Sequence, residues 1–205
     1  MELKRTPYIC KIEVKNMAES KNDKEEKDRQ KKAKALVKEL ETQDPEKLKV
    51  AIKALKIYGD SKTVKPILDR WIVGVNDEAE KEIQVLLNDI KQSDSSTPVM
   101  EAVNDTKYLS IRRALLTTIW NTKVDYSEYL VDFVNIAVDG DFMDALECLT
   151  IIENLEGPFD EHQFLDAQVA LSEFADLKDK TSKKAKIISE IAIIIKDLEA
   201  NHVVF

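Results

Sequence analysis

The sequence predicts an all-α fold built from stacked two-helix units, and three observations carry that prediction. First, Lys49 to Leu68 reads as one helical hairpin. Val50, Ala51, Ala54 and Leu55 recur three or four positions apart as an apolar stripe, Gly59 supplies a stop, and Asp60 or Ser61 can cap a second helix carrying Val64, Ile67 and Leu68. Second, the 205 residues are 43% hydrophobic, rich in Ala, Leu, Ile, Glu and Lys, and hold only four Gly and five Pro, a composition that favours helix and supplies one substantial core. Third, Gly59, Gly74, Gly140 and Gly157 all fall where a helix is expected to end and a left-handed residue is needed. A lone hairpin of this kind cannot bury its apolar face, so its neighbours must do it.

The elements follow in order. Residues 1–23 lack helical periodicity, although Tyr8, Cys10, Ile12 and Val14 alternate weakly as a strand would, and the segment is expected to be disordered. Met17-Ala-Glu-Ser would make a natural start before a helix, so the first sixteen residues are expected to be absent from the native product. From Lys24 a charged leading helix begins, with Ala33, Leu36, Val37 and Leu40 as its apolar stripe. Four hairpins come next, 45–58 with 61–74, 77–92 with 97–104, 107–120 with 126–138, and 141–155 with 159–177. Their first helices start roughly 30 to 36 residues apart, the period of two-helix repeats. A last helix over 182–200 closes the array, its broad apolar face of Ile187, Ile188, Ile191, Ile194, Ile195 and Leu198 shielding the final repeat or offering a dimer seam. Val203-Val204-Phe205 adds an apolar tail. Pro45, Pro98 and Pro158 suit first-turn positions, whereas Pro66 comes about a turn into its helix and should delete a backbone bond.

The Lys49–Leu68 pattern resembles the HEAT repeat, in which a first helix ends in a Gly-Asp turn and a second opens with an apolar-x-Pro-apolar-Leu run, matched here by Val64-Lys65-Pro66-Ile67-Leu68. Ser110 to Trp120, with its Arg113-Ala114 step, is a degenerate echo of the first helix. Ile111 to Glu156 resembles a group of uncharacterised bacterial HEAT-repeat proteins. The resemblance covers about residues 30–180 and implies a right-handed superhelix of helix pairs, a HEAT-like α-solenoid, that serves as a protein-interaction surface. It implies no reaction. The 77–104 unit departs from the pattern, with a short second helix and no Gly-Asp turn, so the superhelix is expected to bend or thin there.

Charge narrows the partners. The formal net charge is −8, but residues 125–180 hold 15 Asp and Glu against only Lys178 and Lys180, a net of −13. Such a field repels phosphate backbones and attracts cationic surfaces, so a protein partner with a basic patch is expected and a nucleic acid is not. No run approaches the eighteen or so apolar residues of a membrane span, and Cys10 and Cys148 are too few and too far apart for a disulfide framework, which suits a reducing cytoplasm.

Four glycines this scattered cannot build a phosphate-binding loop, and His162 and His202 belong to no H-E-x-x-H helix. Asp160-Glu161-His162 could offer metal ligands, yet acids in a first helical turn answer the helix dipole more simply. Asp139-Gly140-Asp141 with Asp144 is a fragment of a calcium loop, and a C-cap followed by an N-cap explains the same letters. No cofactor is expected, although bilin-lyase-like proteins use similar hairpins around a pigment and a cofactor-binding role is the rival reading, with self-association through the last helix as another. The residues chosen as a protein-interaction site are Arg112, Arg113, Trp120, Tyr126, Tyr129 and Asp132, because Arg and aromatics are enriched in binding hot spots. Among them Trp120 continues the stripe of Ile111, Leu115, Leu116 and Ile119, which predicts core packing. Tyr126 follows the cap Asp125 and can staple the turn, and Tyr129 is expected to be exposed. The chain is expected to act as a non-enzymatic scaffold or adaptor.

Overall fold

The computed structural model describes residues 24–89, 93–177 and 182–202. Among them run ten α-helices: α1 (24–39), α2 (Pro45–Tyr58), α3 (Ser61–Val73), α4 (Asp77–Asn88), α5 (Ser96–Asn104), α6 (Arg112–Asn121), α7 (Leu130–Asp139), α8 (Phe142–Glu153), α9 (Glu161–Leu177) and α10 (Lys183–His202). The fold is all-α. The amino-terminal segment expected to be disordered, and the Val203–Phe205 tail, lie outside the described residues.

Helix starts follow from side-chain caps that satisfy otherwise orphaned N–H groups. The Asp44 carboxylate accepts from the amides of Glu46 and Lys47 with Pro45 at the first helical position, Asp60 accepts from Lys62, and Asn76 accepts from Ala79. Reciprocal capping boxes open α8, where Asp141 and Asp144 each accept from the other's amide, and α9, where Asp160 and Gln163 do the same. Pro158 therefore does not start α9 as expected. It stands in the preceding loop, and Asp160 is the cap.

Two helices begin later than their periodicity predicts. The expected start at 107 moves to Arg112 and that at 126 to Leu130, because short 3-10 turns at Thr106–Tyr108 and Ser127–Tyr129 come first. In each, an aspartate two residues upstream accepts an amide of the turn, Asp105 from Lys107 and Asp125 from Ser127, an alternative to helical bonding that favours turns. Helix α4 stops at Asn88, short of the expected 92, and α3 continues through Pro66.

The glycines divide into two kinds, which corrects the expectation of four left-handed stops. Gly74 and Gly157 have φ of 109° and 85°, values that favour glycine. Gly59 and Gly140 have ordinary φ of −68° and −71°. They are glycine for space: a Cβ on Gly59 would lie 2.5 Å from the Leu55 carbonyl oxygen, and one on Gly140 would lie 2.7 Å from the Ile136 carbonyl oxygen and from Asp144 Cβ. Both precede an aspartate cap, so one helix turns into the next within two residues.

The helices alternate between two rows. In the first row α2 packs on α4, α4 on α6, α6 on α8 and α8 on α10; in the second α3 packs on α5 and α7 on α9. One continuous core runs between and along the rows, from Leu40, Leu48 and Ile52 through Leu115, Phe133 and Ile152 to Ile191 and Ile195. α1 contributes buried Ala33, and the turn after it Leu40; the Lys32 ammonium of α1 sits 4.8 Å over the Tyr58 ring of α2. On α2 the buried stripe is Leu48, Ala51, Ile52 and Leu55. Val50, expected inside, is 64% exposed, because the face toward α4 lies about one residue round the helix from the stripe first read.

Salt bridges brace the first row from outside. Lys49, Lys53 and Lys56 of α2 pair with Glu78, Glu82 and Asp89 on or just after α4, and Arg113 of α6 pairs with Asp141 and Asp144 at the start of α8. Between α4 and α6 no ion pair forms among the described residues. Gln84 and Asn88 instead face Thr117 and Asn121 across a polar groove, and the Asn88 Oδ1 is buried without a partner.

Candidate functional site

The six residues singled out in the sequence do not form one patch. Arg113 and Trp120 lie on the outer face shared by α6 and α8. Arg113 donates to Asp141 Oδ2 at 2.8 Å, and the Trp120 indole N–H donates to Glu147 Oε2 at 3.0 Å. Trp120 is 41% exposed, which overturns the expected core packing: Leu115, Leu116 and Ile119 already fill the inward arc of α6, and the next residue turns toward α8.

Tyr129 and Asp132 lie in the second row, against α5. The Tyr129 hydroxyl donates to Thr97 Oγ1 at 3.3 Å, and Asp132 accepts from Asn104 Nδ2 at 2.7 Å, so these two side chains join α7 to α5. Tyr129 is half-buried rather than exposed. Arg112 points inward, its Nε donating to the Val103 carbonyl at 2.9 Å. Tyr126 is buried against Phe133 and Tyr129, a staple over the start of α7. Burial pushes its hydroxyl pKa well above the usual tyrosine range, so Tyr126 stays neutral at physiological pH.

Sequence reasoning missed the partners of these residues. Glu147 and Asn104 lie 27 and 28 positions from Trp120 and Asp132, and only the stacking of rows brings them together. Lys184, in the first turn of α10, gave no sign of its partners in the sequence. Its ammonium donates to the Val138 and Gly140 carbonyls at the end of α7, each at 2.6 Å, as a cation suits a helix C-terminus.

The acidic stretch behaves differently from the acids of the first half. Residues 125–177 contain no Lys or Arg. Asp141 and Asp144 borrow Arg113 from α6, but Asp139, Glu153, Glu156, Glu161, Asp166 and Glu173 are exposed and pair with no cation among the described residues. On α4, by contrast, Glu78 and Glu82 are each neutralised by a lysine of α2. The uncompensated negative charge is therefore concentrated on α7, α8 and α9 and their loops.

No protein-family model, curated protein or solved structure matches the chain. The resemblance to HEAT repeats accordingly rests on the residues that carry it in the sequence. Among the described residues no group of three or more His, Cys, Asp or Glu side chains is placed to hold a metal ion. Cys148 is fully buried in α8, and burial raises its thiol pKa far above the usual range, which leaves it a small packing residue rather than a nucleophile. Among the described residues no helix is long and apolar enough to cross a membrane. The apolar face of α10 offered in the sequence as a dimer seam is turned onto α8 and α9, with Ile191 and Ile195 fully buried.

Proposed function

We propose that the chain is a HEAT-like, right-handed α-solenoid that works as a non-enzymatic scaffold, binding a partner protein through a basic surface. The observation that carries this reading is the set of six exposed carboxylates on α7 to α9 that pair with no cation among the described residues, within a stretch, 125–177, that holds no Lys or Arg. Unneutralised like charges repel one another within a Debye length of about 8 Å and destabilise the folded chain slightly, while a cationic surface laid over them relieves that repulsion. The two-row stack supports the solenoid part of the reading, since alternate helices pack on one another as in a repeat array.

Complementary charge of this sort acts mainly on association rate and on the choice of partner. The test is capture of a partner by the purified protein, followed by measured affinity at rising salt for the native chain and for a variant with Asp166→Lys and Glu173→Lys, both on the exposed side of α9. Weakening of about tenfold or more in the variant, and a loss of its salt dependence, is the expected result. A partner bound equally by both proteins and indifferent to salt would overturn the electrostatic reading.

A further inference from the structure

Between α4 and α6 the outer face opens into a groove of about 480 Å³. The junctions on either side are closed by side chains: three lysine–carboxylate pairs join α2 to α4 and its cap, and Arg113 and Trp120 bind α6 to the Asp141 cap, Asp144 and Glu147 of α8. Among the described residues no such bond crosses from α4 to α6. Instead two polar rungs line the groove, Gln84 and Asn88 one turn apart on α4, and Thr117 and Asn121 one turn apart on α6.

The fold leaves part of their hydrogen-bonding capacity unused. Thr117 Oγ1 donates to the Arg113 carbonyl at 3.0 Å and Asn121 Nδ2 to the Thr117 carbonyl at 2.8 Å, so both donors are spent inside α6 and the two oxygens remain as acceptors. Gln84 bonds to no described residue. The Asn88 Oδ1 is buried with no partner, a rare state for a buried polar atom. Turned over, the same amide would bury its NH2 there, and a ligand that carries both an N–H and a C=O satisfies either end. The charged side chains of the groove, Arg113 and Glu147, are opposite in sign and each has a partner on or from the α6–α8 side, so the lining favours neither a cation nor an anion. A neutral amide fits.

Spacing selects among amides. One helical turn separates the rungs by about 6 Å, and an extended chain repeats its N–H and C=O groups on one edge every two residues, about 6.6–6.8 Å. We propose that the groove binds a short, extended, uncharged segment of the partner protein by its main chain, with a peptide N–H donated to Asn88 Oδ1. The inference rests on the reading of the chain as a protein-binding scaffold, and it gives that scaffold a second contact, apart from the acidic surface of α7 to α9.

The probe is the neutral peptide acetyl-Ser-Ala-Ser-Ala-Ser-methylamide, titrated into the full chain while the side-chain amide resonances of Asn88, Asn121 and Asn104 are followed by NMR, each assigned from its loss in a leucine variant. Asn88 and Asn121 are expected to shift saturably, and Asn104, bonded to Asp132 in the other row, to stay put. The all-ester analogue of the peptide, with an oxygen in place of every main-chain N–H, should bind about tenfold or more weakly, and Asn88→Leu, read at Asn121, should weaken the peptide itself as much. Thr117→Val, read at Asn88, should weaken it a few-fold, and guards against misfolding of the leucine variant. A silent Asn88, equal binding of the ester analogue, or native affinity in both variants would each overturn the proposal. A silent groove beside a captured partner that still binds with salt sensitivity would remove the peptide contact while the scaffold reading stands; a saturable shift at Asn88 beside a partner indifferent to salt would keep the groove and remove the electrostatic reading.

Discussion

Gly140 and Asp141 show how much a single residue can decide here. The chain leaves α7 and enters α8 within two residues, and Gly140 has no room for a Cβ beside Asp144 and the Ile136 carbonyl. Gly140→Ala is predicted to destabilise the fold by about 1–3 kcal/mol, the usual cost of overpacking, measurable as a lower urea midpoint with unchanged slope. An unchanged midpoint would mean that the turn opens freely. Asp141 is held below the usual carboxylate range, first by the Asp144 amide, which with the Met143 amide and Arg113 outweighs an opposing effect of burial. Because its folded pKa is depressed, its contribution to stability is complete above the unfolded value of about 3.9 and is lost as pH falls through the folded value. Asp141→Asn should therefore lower the midpoint at pH 7 and lessen the loss of stability below about pH 4; an acid limb as steep as the native one would contradict this. The sequence made Gly140 and Asp141 legible as a cap pair, but not the reason for the glycine, since crowding between turns leaves no mark on local propensity.

Among the elements, α6 and α10 separate what periodicity can and cannot tell. Each stripe places the buried residues correctly at its centre, Leu115 and Leu116 in α6 and Ile188, Ile191 and Ile195 in α10. The errors come at the stripe edges. Val50 and Trp120 sit beside buried neighbours, and a rotation of about 100° per residue is enough to carry an edge position out to solvent. Ile191→Ala should thus cost about 2–5 kcal/mol, as for a fully buried aliphatic, whereas Trp120→Ala should cost clearly less, although it is the larger side chain. Chemical denaturation of the two variants decides the order, and a Trp120 variant as damaged as the Ile191 variant would restore that indole to the core. The late starts of α6 and α7 were legible only in hindsight from Asp105 and Asp125, because an aspartate two residues before a helix can cap it or make a turn, and the tertiary bond from the Tyr108 hydroxyl to Asp69 favours the turn.

Across the whole molecule, short connections and alternating rows separate the two ends, and the charge separates with them. Three lysines of α2 meet three acids of α4 and its cap, while six exposed carboxylates of α7 to α9 and their loops meet no cation among the described residues. That asymmetry was readable from residue counts alone. The dispersal of the six chosen site residues over two faces and the interior was not, because it depends on which helix stacks on which. The central claim is this open stacking of α2, α4, α6, α8 and α10. It is tested most directly by the distance between nitroxide labels at Val50→Cys on α2 and Ile193→Cys on α10, both exposed, in a Cys10→Ser background, measured by pulsed electron–electron resonance. Four helix-to-helix steps of about 8–10 Å each predict a single population at roughly 30–40 Å, drawn in somewhat by curvature. A population centred below about 20 Å would mean that the helices close into a bundle, and would contradict the two-row array.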